Sequence, residues 1–171
     1  MKYPQNETMR KSGKFSAETN VDSPKWLSED VNIIDICETT ISSFSNQAIP
    51  SITSGNNIVS ILLTDDKKMS GLNKLYRNKA GPTNVLSFTN ENKHSNGKNI
   101  ILGDIALSFT TVLKESTQSK ISFINHVKHL LIHGCLHLIG FDHETAIEAQ
   151  EMEVLEVNIL RKLGVPNPYN V

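Results

Sequence analysis

Three histidines between His133 and His143 constrain the fold of this chain more than any other feature of the sequence. His133 and His137 are four residues apart, so on a helix they lie on one face and can offer ring nitrogens to the same ion. Gly140 can adopt the left-handed conformation that turns a chain at the end of a helix, which would let His143 reach back as a third ligand. The spacing therefore predicts a metal-binding helix followed by a tight turn.

The chemistry of these histidines narrows the choice of metal and of its role. Three neutral imidazoles suit Zn²⁺ best, although nickel, copper and iron also accept them. Three protein ligands leave one position open to water, which is typical of catalytic rather than structural zinc. A lone histidine on an apolar helix face is usually an ordinary core or surface residue. The triple spacing with an intervening glycine instead favours one zinc ion held by His133, His137 and His143.

Two further histidines and a cysteine lie near the same stretch. At about 1.5 Å per residue, His126 would lie about 10 Å along the helix axis from His133, too far to share an ion. His129 would lie about 6 Å away and could orient a ligand or contact substrate, although for both residues the favoured interpretation is a polar cleft wall. Cys135 lies on a different helix face, so we exclude it as a ligand.

The composition predicts one soluble, cytoplasmic domain. The 171 residues are enough for a single domain with a sizeable core. No apolar run approaches the roughly 20 residues that a membrane crossing needs, and the first residues lack the apolar segment of an export signal. Two cysteines without a paired motif argue against a disulfide framework. Because the net charge is only −1, any polyanion must be held by a local patch.

The chain divides into a leader and a domain. Residues 1–25 are polar and lack sustained periodicity, which predicts a partly disordered or irregular leader, with a candidate first strand at Phe15–Val21. Residues 26–171 are expected to form the single domain. Apolar runs and helical spacings within it predict strands at 58–63, 85–88 and 100–107, and helices at 28–44, 109–116, 119–138 and 144–162. A further helix, which Asp65 or Asp66 could cap, is predicted from the stripe Met69, Leu72, Leu75 and Tyr76. Strands interleaved with helices predict an α+β fold, in which a small mixed sheet packs against helices and the histidine-bearing helix lines a cleft.

The histidine spacing also separates two enzyme classes. Metzincin metalloproteases use H-x3-H-x2-G-x2-H, but Gly134 stands where they carry the glutamate general base. Glycine cannot take a proton, so either the metal alone lowers the pKa of bound water sufficiently or another group is the base. Asp142 and Glu144 are candidates, and they are equally compatible with a turn residue and a charge at a helix start.

The stretch His133–His143 resembles the HGxLHLxGxDH signature of the YbeY family, bacterial metal-dependent endoribonucleases of ribosomal RNA maturation. Leu72–Arg77 and Pro82–Phe88 resemble the LNxxYR and PTDVLSF segments of that family, except that Asn84 replaces the usual aspartate. Gly103–Ile105 resembles its GDI strand and Met152–Gly164 its closing helix. The resemblance covers residues 57 to 169.

The resemblance implies roles for particular residues. It makes His133, His137 and His143 zinc ligands, and it matches Arg77 to a functionally important arginine of the family. An arginine at a helix end is often merely solvated, but a guanidinium can also neutralise a phosphate through two hydrogen bonds. The segment around it is the most basic of the chain and could contact a polyanion or form a solvated face. Its cations are Lys67, Lys68, Lys74, Arg77 and Lys79.

The function that the resemblance implies is a zinc-dependent, single-strand-specific endoribonuclease with a domain of the metal-dependent hydrolase type over residues 26–171. The family acts in 16S rRNA 3′-end maturation, rRNA processing and ribosome quality control, so single-stranded ribosomal RNA and the ribosome are the expected partners. Arg77 would be catalytic and would also bind substrate, together with Lys74, Lys79 and His129. Attack by water or by the ribose 2′-OH stays open, as do two alternatives: a metalloprotease-like hydrolase without the usual glutamate, and a non-catalytic ribosome-associated RNA-binding module.

Overall fold

The fold is described from a computed structural model, which covers residues 13–47, 49, 52, 55–91 and 99–170. A mixed sheet of four strands has the order β1-β2-β4-β3. The strands β1, β2 and β4 are mutually parallel, and β3 runs antiparallel to β4 at one edge. The strand bounds are Lys14–Val21 for β1, Asn56–Thr64 for β2, Val85–Thr89 for β3 and Asn99–Ser108 for β4.

Five α-helices accompany the sheet in the described part of the chain. They are α1 (Ile33–Ser42), α2 (Asp66–Arg77), α3 (Phe109–Gln118), α4 (Phe123–Leu138) and α5 (Ala146–Lys162). Because parallel strands cannot be joined by a tight turn, α1 carries the chain from β1 to β2, and α2 with β3 carries it from β2 to β4. This arrangement confirms the predicted α+β fold with a small mixed sheet packed against helices.

The main core lies between one face of the sheet and the helices α1 and α4. Alternate residues of β2, Val59, Ile61 and Leu63, are buried there, as the two-residue period of a strand requires. The histidine-bearing helix α4 is apolar over most of its surface and contributes Leu131 to this core. The opposite face is covered in part by α2, whose Met69 packs against apolar residues of β3 and β4.

Gly134 allows α4 to approach the sheet closely. A Cβ atom at this position would lie 2.9 Å from Oγ of Ser87 on β3 and 3.0 Å from Cδ1 of Ile105 on β4. Contacts this short would require the side chains of Ser87 and Ile105, or α4 itself, to shift, so glycine allows this close packing without rearrangement. The close approach places His133 and His137 beside the edge of the sheet formed by β3.

Three predicted helix starts differ from the structure. The first helix begins at Ile33 rather than at Ser28, because Asn32 is its N-cap and accepts a hydrogen bond from the N–H of Asp35 at 3.2 Å. The histidine helix begins at Phe123 behind the N-cap Ser122, and Ser119 instead ends α3. The last helix begins after Thr145, whose reciprocal hydrogen bonds with Glu148 form a capping box.

The predicted first strand is confirmed and slightly longer, since β1 spans Lys14–Val21 and pairs with β2 along its whole length. Phe15 and Trp26 are buried in the main core. Residues 14–21 of the segment predicted as a leader are therefore a strand of the sheet. The first twelve residues lie outside the described residues, as do 92–98 of the polar loop between β3 and β4. None of the helices in the described part of the chain combines the length and apolar character that a membrane crossing requires.

Candidate metal centre

The structure brings together the three histidines that the sequence singles out. His133 and His137 lie on one face of α4, which ends at Leu138. Gly140 then has φ of +99°, and the N–H groups of Gly140 and Phe141 donate to the carbonyls of His137 and Leu136, both at 3.0 Å. These are the two hydrogen bonds of a Schellman motif, which turns the chain back. One ring nitrogen of each of His133, His137 and His143 lies within 4.8 Å of the others.

The hydrogen bonds at Nδ1 of His133 and His137 determine which ring nitrogens face one another. Nδ1 of His137 lies 3.0 Å from the carbonyl oxygen of Phe141, and Nδ1 of His133 lies 2.7 Å from Oε1 of Glu156. A carbonyl and a carboxylate only accept, so both Nδ1 atoms carry the proton. With both rings neutral, the Nε2 atoms would be lone-pair donors, and they lie 3.1 Å apart. A divalent cation fits this donor set, because it would relieve the repulsion between the lone pairs.

The pKa of His137 favours the form that binds a metal. Burial of this half-buried ring lowers the pKa below its usual value, and the nearby rings of His133 and His143 lower it further. The hydrogen bond to Phe141 and the charge of Asp142 act in the opposite direction but do not outweigh these effects. The ring is therefore neutral at physiological pH and has a free lone pair.

Glu156 supports the candidate ligands and was not anticipated from the sequence. It lies on α5 with 1% of its surface exposed, and it accepts hydrogen bonds from His133, His129 and the hydroxyl of Tyr169. Burial alone would raise the pKa of this carboxyl, but the three donors hold it at about 2. The buried stripe of α5 contains Met152, Glu156 and Ile159 at helical spacing. A carboxylate among these apolar positions is the sequence feature from which the role of Glu156 could have been predicted.

A cavity of about 520 Å³ opens beside the histidine cluster. The strand β3 forms one wall with Val85, Ser87 and Thr89, and Arg77 at the end of α2 also lines it. Its other lining residues are Thr83, Asn84, His133, His137, Gly140, Phe141, Asp142 and His143. The structure therefore places Arg77 and the three histidines around one cavity, although they are far apart in the sequence.

The other residues predicted to contact substrate lie farther out. Lys74 and Lys79 are exposed near the end of α2, and neither lines the cavity. Nζ of Lys74 donates to Oδ1 of Asn78 at 2.8 Å. His129 lines a separate cavity of about 230 Å³ with His126, and its Nε2 lies 3.1 Å from Oε2 of Glu156. A contact of these residues with substrate stays a prediction.

Both acidic residues next to His143 are exposed, but only one of them lines the cavity. Asp142 does so, and its Oδ1 accepts the N–H of His143 at 2.8 Å. Glu144 lies just before α5 and is not a lining residue. Asp142 is therefore the better placed of the two candidate bases.

Gly134 and Asn84 have structural roles that the sequence did not reveal. Gly134 faces the sheet, where an added Cβ would meet the side chains of Ser87 and Ile105. Oδ1 of Asn84 accepts the N–H of Val85 at 2.6 Å, and its Nδ2 donates to Oε2 of Glu115 at 3.0 Å. Asn84 thus accepts a hydrogen bond from Val85 and donates one to Glu115, whereas an ionised aspartate could not donate to Glu115.

The α+β fold and the histidine cluster beside an arginine-lined cavity are those of a metal-dependent hydrolase. The family model for Endoribonuclease YbeY matches residues 26–164, so the chain belongs to the Endoribonuclease YbeY family. This confirms the family predicted from the sequence motifs and, with it, the prediction of an endoribonuclease.

Individual relatives agree with the family assignment. The chain is 44% identical over 120 residues to "Endoribonuclease YbeY" of Magnetococcus marinus, a match that covers 65% of the chain and 82% of the relative. The protein of the same name from Rhodopseudomonas palustris is 36% identical over 167 residues, covering 95% of the chain and 85% of the relative. That of Chelativorans sp. is 38% identical over 159 residues, covering 92% and 95%.

Proposed function

We propose that this protein is a zinc-dependent endoribonuclease that cleaves single-stranded RNA. Its place of action would be the cytoplasm, where it would associate with the ribosome in rRNA processing, 16S rRNA 3′-end maturation and ribosome quality control. Membership of the Endoribonuclease YbeY family supports the reaction class. The observation that carries the proposal is that Arg77 and the three histidines line the same cavity.

His133, His137 and His143 would hold the ion through their free ring nitrogens. Zinc is proposed because it accepts three neutral imidazoles and leaves a position for a further ligand. The bound ion would supply Lewis-acid chemistry to the phosphodiester. Glu156 and the carbonyl of Phe141 keep two of the rings in the tautomer that this role requires.

Arg77 would bind the scissile phosphate and stabilise its growing negative charge. Its guanidinium is always protonated and can form two parallel hydrogen bonds to phosphate oxygens. Lys74 and Lys79, exposed near the same helix end, would attract the neighbouring phosphates of the strand, and His129 would contact a more distant part of it. The cavity also contains the carboxylate of Asp142, which could accept a proton from a water molecule or a ribose hydroxyl.

Cleavage of a labelled single-stranded RNA, measured together with bound zinc, tests this proposal. We expect zinc-loaded wild type to cleave the single strand and to leave a duplex of the same sequence intact. His137→Ala should lose both zinc and cleavage. Arg77→Ala should retain zinc but lose about 10²–10³-fold in rate, the usual effect of removing one group that stabilises transition-state charge. Arg161→Ala, on the exposed surface of α5, is the matched control and should behave as wild type.

Each alternative function has its own signature in the same experiment. No cleavage by stoichiometrically zinc-loaded wild type would contradict the nuclease assignment. Chelator-sensitive peptidase activity that is unchanged in Arg77→Ala would favour a protease. If His137→Ala loses RNA cleavage but keeps RNA binding and thermal stability, a non-catalytic binding module is excluded.

A further inference from the structure

The segment that follows α5 reaches the candidate metal centre. Helix α5 ends at Lys162, and Val165 is buried in the main core. Residues 165–168 line one cavity together with residues from the first half of α4. Tyr169 lies edge-on to His129, with ring centroids 5.7 Å apart. Its hydroxyl donates a hydrogen bond to Oε2 of Glu156. The chain therefore returns to the helix that carries two of the candidate ligands.

Glu156 connects this contact to a candidate ligand. Its Oε1 lies 2.7 Å from Nδ1 of His133, while Oε2 accepts from Tyr169 and lies 3.1 Å from Nε2 of His129. Each carboxylate oxygen has two lone pairs, so all three donors can be satisfied at once. The orientation of the carboxylate is therefore set from α4 and from the C-terminal segment together.

We propose that Tyr169 is a positioning residue of the metal centre, whose hydroxyl fixes the Glu156 carboxylate and thereby the tautomer and ring orientation of His133. The inference rests on the metal site of the proposed function. Without the hydroxyl, Oε2 keeps only the longer contact with His129, and the carboxylate can turn away from His133. Groups that hold a histidine ligand in this way typically contribute about 10–100-fold to metal affinity.

The exposure of Tyr169 distinguishes its proposed hydrogen-bonding role from packing in the core. The residue is 44% exposed, so its ring contributes less to the core than a buried aromatic would. It also lines a small cavity of about 210 Å³ together with His133 and His143. Phenylalanine would keep the ring and remove only the hydroxyl, so the hydrogen bond can be tested apart from the packing.

Coupling between sites is reciprocal, so a bound metal should in turn hold the C-terminal segment in place. Two backbone groups report on this: the N–H of Val165 donates to the carbonyl of Leu160 at 3.0 Å, and the N–H of Tyr169 donates to Oδ1 of Asn167 at 2.9 Å. Both amide groups should exchange hydrogen more slowly when zinc is added to the wild type. In Tyr169→Phe this protection by zinc should be smaller.

The test measures zinc affinity of the full chain by competition with a chromophoric chelator. Tyr169→Phe should bind zinc about 10-fold more weakly than wild type. With Co²⁺ in place of zinc, its visible absorption should shift, because the geometry of the ligands changes. Tyr76→Phe is the matched control: that ring is exposed and packs on Phe88, with centroids 4.8 Å apart, on a different helix. Its zinc affinity and cobalt spectrum should equal those of wild type.

A double-variant comparison then assigns the effect to Glu156. In a Glu156→Gln background the further change Tyr169→Phe should weaken zinc binding by less than twofold, because the carboxylate that Tyr169 holds is already gone. Equal losses in both backgrounds would overturn the proposal, as would wild-type or tighter affinity of Tyr169→Phe. Thermal unfolding in EDTA checks that each variant folds without metal.

The wild type distinguishes failure of this inference from failure of the proposed function. If the wild type itself binds no zinc, the proposed metal site fails together with this inference. If it binds one ion and Tyr169→Phe binds equally well, only this inference fails.

Discussion

Asn84 donates a hydrogen bond from Nδ2 to Oε2 of Glu115 at 3.0 Å, and this contact connects the start of β3 to α3. Asn84 also lines the cavity beside the histidine cluster. The same Oε2 lies 2.8 Å from Nε2 of the buried His126. Glu115 therefore joins α3, α4 and the β3 edge. The contact explains how an asparagine serves at a position where the YbeY family usually has aspartate.

Changing Asn84 to Asp should destabilise the protein. The new carboxylate would face Glu115 without a donor between them, and like charges at this distance disfavour ionisation of both. Because Glu115 is partly exposed, we expect the free energy of unfolding to fall by only about 1 kcal/mol at neutral pH, measured by urea denaturation. Adding Glu115→Gln to Asn84→Asp should restore stability, since the new amide can donate to the new carboxylate. Equal stability of all these variants would contradict the assigned contact.

Gly134→Ala should destabilise the protein even though alanine favours helices. Its Cβ would lie 2.9 Å from Oγ of Ser87 and 3.0 Å from Cδ1 of Ile105, so these side chains or α4 itself must shift. We expect a net loss of about 1–3 kcal/mol in the free energy of unfolding. Gly71→Ala is the matched control, because an added Cβ in this exposed part of α2 meets nothing within 4 Å. In this control we expect the free energy of unfolding to rise by up to about 1 kcal/mol.

Gly140→Ala should weaken metal binding through the backbone alone. The φ of +99° is unfavourable for alanine, but no atom obstructs its Cβ, so only the turn that carries His143 is strained. The strain is expected to cost about 1–2 kcal/mol of stability, and zinc titration should show reduced affinity. Gly81→Ala, with φ of +85° in the loop between α2 and β3 and with no atom near its Cβ, should cause a similar loss of stability. The two variants are distinguished by zinc affinity, which should stay at the wild-type value in Gly81→Ala.

Asp66→Asn should reduce stability in a pH-dependent manner. Burial opposes ionisation of Asp66, but hydrogen bonds from Ser108 and Thr111 outweigh it and lower the pKa below the usual 3.8. A carboxyl whose folded pKa is lowered contributes stability above its unfolded pKa, and this contribution is lost as the pH falls below 3.8 towards the folded value. We expect the variant to lose about 1 kcal/mol at neutral pH and to approach wild type in acid. Thermal unfolding across that range checks the trend, and a gap that does not narrow with acidification would contradict it.

Local patterns predicted much of the secondary structure. The β-branched and apolar run Ile58–Leu63 and the glycine after the histidine helix depend only on neighbouring residues, and the structure confirms both the strand and the turn. Helix starts were less predictable, because Ser119 and Ser122 are both plausible caps by residue type. The choice between them follows from Lys120, whose φ of +55° separates α3 from α4.

The sequence by itself determined that three histidines could surround one ion, since helical periodicity and one glycine act within eleven residues. Only the tertiary structure decided that Arg77 lines the same cavity as these histidines and that Gly134 faces the sheet. It also decided that Glu156 contacts His133 and accepts a hydrogen bond from Tyr169. The physical reason is that these contacts join elements distant in the chain. Their formation depends on strand order and on the burial of apolar faces, which no local propensity specifies.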